Sequence, residues 1–142
     1  MFSIIPALKN AEFLRYGVMH RNTFINAPKA INIDYSFKSR PNVFIAGQLS
    51  GVEGYVESAG TGLLAAIYLE RKLSGKPQVL ISENTILGAL SKYITTETKD
   101  FQPMNANFGI LTPITVRDKK ERKRLMAERS LAAVQQFKSE IS

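Results

Sequence analysis

The sequence predicts an α/β fold, and three observations carry that prediction. Ile31, Ile33, Tyr35 and Phe37 alternate with polar residues, the period of a strand with one buried face. Val43 to Ala46 is a short apolar run after a break at Arg40-Pro41, which suits a strand buried on both faces. Directly behind it, IAGQLSGVEGYVES packs three glycines into eight residues, and from Val56 to Leu73 the apolar spacing becomes helical.

The totals bound the class. The chain has 142 residues and 15.8 kDa, the size of one ordinary domain. Hydrophobic residues make up 44% and charged residues 22%, so a packed core is expected rather than disorder. No apolar run reaches bilayer length, and MFSIIPALKN lacks the pattern of a secretory signal. A cytoplasmic protein with no membrane partner is the expectation. With no cysteine, disulfides, cysteine metal sites and a cysteine nucleophile are excluded within these residues, and no metal ligands are assigned. A net charge of +7 and a pI of about 9.8 suit a polyanionic partner, or a protein that is merely basic.

Residues 1–10 hold a small apolar patch broken by Pro6 and read as a short helix or turn. AEFLRYGVMHRNTFI, rich in aromatic and branched residues around Gly17, reads as one bent strand or two short ones, and NAPKA as a loop. The helix from Val56 is expected to bury Leu63 and Ile67, with Leu64 or Tyr68 beside them, and to end at Ser74-Gly75-Lys76-Pro77. Val79 to Ile81 is apolar; Ser82 or Asn84 then caps a helix carrying Ile86, Leu87, Leu90, Tyr93 and Ile94. Residues 99–116 are proline-bounded and irregular. The last helix, 117–139, is expected to bury Ala127, Leu131 and Val134. The chain thus divides into a strand-rich segment, 1–40, and a remainder, 41–142, that opens with the Val43 to Ala46 strand and ends in the basic helix 117–139.

The glycine junction is the candidate binding feature. Gly47, Gly51 and Gly54 have the wrong spacing for a dinucleotide fingerprint, and no P-loop lysine follows. A formal match at Gly60 to Ala65 lies inside the helical pattern and is rejected. A strand emerging into a glycine loop and a helix N-terminus leaves backbone N–H groups and a positive dipole end facing one spot. A carbonyl or phosphate is stabilised there. Tyr55 offers a flat ring for stacking. Glu53 and Glu57 are expected to cap the helix. The alternative is a loop that only turns a tight corner.

GQ-x-x-GVEGYVESA-x-x-GLLA resembles the flavin-binding segment near the C-terminus of the folate- and FAD-dependent tRNA uracil-5-methyltransferases, the TrmFO family. NAEFLRYGVMHRNTFIN, LGAL-x-x-YIT, FQPMNANFG and RDKKER resemble the same family in the same order, so nearly the whole chain is covered. The related GidA-type flavoproteins are resembled less closely. The resemblance implies the C-terminal part of a Rossmann-like FAD-binding fold. It implies an enzyme that forms 5-methyluridine in the tRNA T-loop, with methylenetetrahydrofolate and NAD(P)H as co-substrates. Gly47, Gln48, Gly51, Gly54, Tyr55 and Val56 would line the flavin. The family's pyrophosphate-binding unit and its nucleophilic cysteine are not found here. The expectation is a C-terminal third, inactive alone and binding FAD weakly, whose partners are tRNA and the rest of the enzyme.

His20, Arg21 and Asn22 form a polar triplet that is either a turn or, by the resemblance, a substrate-facing wall. Asn105 and Asn107 lie in a loop apolar enough either to pack in the core or to fold over a cleft. Lys119, Lys120, Arg122, Lys123 and Arg124 are either a solvated helix face or contacts to tRNA phosphates. Two other readings remain: a stand-alone basic RNA-binding module without catalysis, and part of a GidA-type enzyme.

Overall fold

The computed structural model describes residues 4–12 and 23–142. Four α-helices organise them: α1 (Ala27–Ala30), α2 (Tyr55–Leu73), α3 (Ile86–Thr95) and α4 (Lys119–Ile141). Short 3-10 turns cover Pro6–Leu8, Gly47–Ser50 and Phe108–Ile110.

The strands expected at 31–37 and 43–46 do not form as strands. Among the described residues, extended pairing is reduced to three isolated bridges, Ile31 with Phe37, Ser36 with Phe44, and Val52 with Met104. The first two explain what the alternation meant. Residues 31–37 fold back on themselves: the Asn32 amide donates to Ser36 O (2.8 Å) and the Tyr35 amide to Asn32 O (2.9 Å). The reversal puts Tyr35 at φ 67°, a left-handed conformation unusual for a residue with a β-carbon. Its fully buried ring holds it there, stacked on Tyr68 at 6.1 Å between centroids. Ile33, expected inside, lies at the turn and is exposed, as is Val43.

α2 starts and stops where the sequence places it. Gly54 is its N-cap, and Gly75 after it adopts φ 67°. Its buried face agrees with the expected one at Leu64 and Tyr68, with Ile67 packed at the core's edge, and adds Thr61, Ala65 and Arg71; Leu63, expected inside, is exposed. The formal glycine fingerprint at 60–65 is interior helix. After α2 the chain returns extended along it: Gln78 Nε2 donates to Tyr68 O (2.8 Å), and the Ile81 amide to the Tyr68 hydroxyl (3.1 Å).

α3 is capped by Thr85, not by Ser82 or Asn84. The Thr85 hydroxyl accepts from the Gly88 amide (3.0 Å) and donates to Ser82 O (2.8 Å). Gly88 lies against the same turn, where a β-carbon would come within 2.1 Å of Ser82 O.

α4 is capped by Asp118, which accepts from the Glu121 amide at 2.6 Å. It buries Met126 and Phe137; Ala127, Leu131 and Val134, expected inside, face outward. Arg71 fastens its end. Nε donates to Pro77 O (2.8 Å) and Nη1 to Ile141 O (3.3 Å), so this buried guanidinium is met by carbonyls.

The main core draws on segments from α1 to α4: Ile31, Tyr35, Val52, Leu64, Tyr68, Leu90, Ile94 and Phe137 share it, while residues 4–12 are exposed. A second cluster joins Ala89, Leu111 and Met126. No helix among the described residues is long and apolar enough to cross a membrane.

Candidate functional site

The glycine loop is built by its own backbone. Gly47, Gly51 and Gly54 take φ values of 68°, 89° and 98°, conformations that favour glycine at all three. The Ser50 hydroxyl closes the 3-10 turn by donating to Gly47 O (2.7 Å). The Gly47 amide donates to the buried Thr61 hydroxyl (3.1 Å), which donates in turn to Ser58 O, so the loop is bolted to α2 about one and a half turns in.

The close approach at Gly51 is to protein. A β-carbon there would sit 2.5 Å from the Phe101 ring, and one at Gly54 would meet the Glu57 carboxylate. The second loop, FQPMNANFG, therefore backs directly onto the first. The two exchange backbone bonds as neighbouring strands do: Met104 N to Gly51 O (3.0 Å) and Glu53 N to Met104 O (2.9 Å). Of the residues expected as helix caps, Glu53 contributes this backbone bond. Glu57 reaches across instead, its Oε1 accepting from the Ala106 amide at 3.1 Å.

The N-terminus of α2 is left without a side-chain cap. Tyr55 is 97% exposed and Val56 83% exposed at this end. The outward face continues along the helix through Ala59, Gly62, Leu63 and Ala66 to Leu73. Small and apolar residues thus line the first three turns of this face, with Leu63 at 63% exposure, before the charged and exposed Glu70 interrupts it ahead of Leu73.

The structure brings Gly47, Gly51, Gly54, Tyr55 and Val56 together at this junction, with exposed Gln48 on the preceding turn. Asn105 and Asn107 lie on the facing loop. Asn107 organises it, accepting from the Gly109 amide (2.8 Å) and donating to Asn105 O (3.0 Å). His20, Arg21 and Asn22 lie outside the described residues.

The basic residues sit at the start of α4. Between 117 and 129 there are seven basic and three acidic side chains. Arg124 engages Glu121 (Nη2 to Oε1, 2.6 Å) and Glu128, which sets it apart from the other four candidates. Its guanidinium holds the Glu121 carboxyl below the usual range. Lys119, Lys120, Arg122 and Lys123 make no ion pair among the described residues. Sequence reasoning missed a cleft beside them, lined by Phe108, Leu111, Pro113, Met126 and the two cations Arg122 and Lys123. Only the apolar character of FQPMNANFGILTP pointed toward it.

The family model described as "Glucose inhibited division protein A" matches residues 1–77, more than half of the chain. A relative from Brevibacillus brevis, named methylenetetrahydrofolate--tRNA-(uracil-5-)-methyltransferase TrmFO, is 50% identical over 99% of this chain and 33% of its own length. Relatives of the same name from Caldicellulosiruptor bescii (48% identical, 99% of this chain, 33% of the relative) and Streptococcus suis (50%, 96% and 32%) agree. The chain spans about a third of the length of the curated relatives it matches. The resemblance drawn from the sequence motifs is borne out at this level. The chain belongs to the glucose inhibited division protein A family and is similar, within it, to the TrmFO methyltransferases.

Proposed function

We propose that this chain supplies one wall of the flavin site of a tRNA uracil-5-methyltransferase that draws its one-carbon unit from methylenetetrahydrofolate. The observation that carries the reading is the uncapped start of α2, with Tyr55 and Val56 almost wholly exposed beside it. Free N–H groups and a helix dipole suit the electron-rich pyrimidine edge of a flat ring. The uncapped N–H groups and the exposed Tyr55 ring suit the carbonyl edge of a flavin, while the Glu57 carboxylate against Gly54 argues against a dianionic pyrophosphate at the same spot.

Bound there, FAD supplies one-carbon carriage and electrons, with NAD(P)H as the reductant. The chain's own residues bind and orient. Backbone N–H groups of Tyr55 and Val56 would hold the flavin, the Tyr55 ring would stack on it, and Gly47, Gln48, Gly51 and Gly54 would shape the loop that lines it. Asn105 and Asn107 on the facing loop border the substrate side, with His20, Arg21 and Asn22 as a further substrate-facing group. The basic start of α4 meets tRNA phosphates, and the product is 5-methyluridine in the T-loop, made in the cytoplasm.

The other walls, the pyrophosphate site and the nucleophilic thiol belong in this reading to polypeptide equivalent to the relatives' remaining two thirds. The apolar stripe on α2 is the surface that polypeptide would cover. The 142 residues alone are therefore expected not to methylate tRNA and to hold FAD weakly.

The test is a chimera in which this chain replaces the matching third of the Brevibacillus brevis relative. Methylenetetrahydrofolate-dependent formation of 5-methyluridine in unmodified tRNA supports the proposal. A folded chimera that binds tRNA but neither retains FAD nor methylates contradicts it, and favours the RNA-binding module.

A further inference from the structure

We propose that the cleft between residues 108–114 and the first two turns of α4 binds one unstacked base of single-stranded RNA together with its adjoining phosphate. The inference rests on the tRNA reading for the polymer's identity, but its geometry is independent of the flavin junction.

The cleft has a volume of about 370 Å³, within the range of small-ligand sites and large enough for one base and its phosphate. Phe108 stands at its mouth, half-exposed on a 3-10 turn that Asn107 fixes by accepting from the Gly109 amide. Leu111, Pro113 and Met126 supply an apolar wall. Arg129 Nη2 donates to Thr112 O, which pins that wall to α4. The cleft is therefore formed before any ligand arrives.

Charge selects the ligand. Arg122 and Lys123 line the cleft, and Lys123 Nζ sits over one face of the Phe108 ring, 5.4 Å from its centre, so a base stacks on the other face or takes the ammonium's place as it moves to the phosphate. The carboxylates nearest in sequence are engaged elsewhere: Asp118 caps the helix, and Glu121 and Glu128 are both held by Arg124. An apolar slot with an exposed aromatic ring and two cations, unpaired among the described residues, fits a planar group that carries an anion. A nucleobase stacked on Phe108, with its phosphate at Arg122 and Lys123, meets both demands. Lys119 and Lys120, on the same end of the helix, extend the cationic surface along the backbone of a longer strand.

The experiment measures binding of a short oligouridylate and of uridine monophosphate to the whole chain, over a range of salt. The oligomer should bind with a salt-dependent affinity and more tightly than the mononucleotide. Phe108→Ala and Arg122→Gln/Lys123→Gln should each weaken it by about fivefold or more, the scale of one stacking contact or two phosphate contacts. Phe108→Trp should restore binding, which separates stacking from a loss of loop structure. Unchanged affinity in Phe108→Ala overturns the base site and leaves phosphate contacts alone. Equal affinity for the mononucleotide, or no binding of the oligomer, overturns RNA as the ligand. Retention of FAD by the chimera reads the flavin proposal separately.

Discussion

Oε1 of Glu57, in the first turn of α2, accepts from the amide of Ala106, 3.1 Å away and 49 residues later. This one bond spans the two loops that form the candidate site. The same carboxylate lies against Gly54 at the start of α2 without bonding an N–H there, so that end has no side-chain cap. In Glu57→Ala, the Ala106 amide should lose hydrogen-exchange protection, while the global denaturant midpoint moves little. Glu57→Gln keeps an acceptor and should keep most of the protection. An unprotected Ala106 amide in the parent chain would contradict the contact.

Gly51 and Gly62 should respond in opposite directions to alanine. Gly51 has φ 89° and its missing β-carbon faces the Phe101 ring at 2.5 Å, so Gly51→Ala should cost about 2–4 kcal/mol in strain and overpacking. Gly62 lies inside α2, and a β-carbon added there would meet nothing within 4 Å, so Gly62→Ala should stabilise the chain by about 0.5–1 kcal/mol. Urea denaturation of the parent and the two variants checks both signs.

Alkaline pH should weaken the fold. The Tyr35 and Tyr68 hydroxyls are both held above the ordinary tyrosine value, chiefly by burial. The Tyr35 hydroxyl lies 2.5 Å from that of Ser91, and Tyr68 accepts from the Ile81 amide. Above the unfolded value of about 10, the unfolded chain releases protons that the folded chain keeps. The stabilisation from keeping these phenols neutral is thus complete below about pH 10 and lost as pH climbs toward the folded values. Denaturant midpoints should fall on that side, and the fall should be smaller in Tyr35→Phe.

The outward face of α2 should behave differently alone and in an assembled enzyme. Leu63 is exposed and lies outside the core, so Leu63→Glu should leave the stability of this chain within about 0.5 kcal/mol. In the chimera with the Brevibacillus brevis relative, the same change should disrupt folding or FAD retention, because a charge would be buried without a partner. A chimera indifferent to Leu63→Glu would show that the stripe is not covered.

The bounds of α2 were legible in the sequence, whereas α1 (Ala27–Ala30) lies in NAPKA, which reads as a loop, and α3 is capped by Thr85 rather than Ser82 or Asn84. Gly54 before α2, Ser74-Gly75 after it and the proline-bounded loop at 99–116 all lie where caps and breakers put them. Inward faces were less legible. Leu63, Leu131 and Val134 are apolar at helical spacing, yet the core sits on the other side. Apolar pattern alone does not distinguish a face buried within the chain from one that serves a partner. The strands failed for a different reason. The period of Ile31 to Phe37 is real, but Tyr35 takes a left-handed turn, closed by the Asn32, Asp34 and Ser36 hydrogen bonds and held by the packing of its ring on Tyr68. In the site, the Gly47–Val56 junction was found by its glycines. The Glu57–Ala106 bond and the Phe108 cleft depend on contacts between segments about 50 and 15 residues apart, which no local motif encodes.

The central claim is that the start of α2 faces a flavin, and FAD bound per chain in the chimera tests it most directly. The Val56 parent should retain FAD through gel filtration. Val56→Glu, which sets a carboxylate where the electron-rich ring edge would lie, should emerge folded but colourless. Full FAD retention in the Val56→Glu chimera would contradict the account.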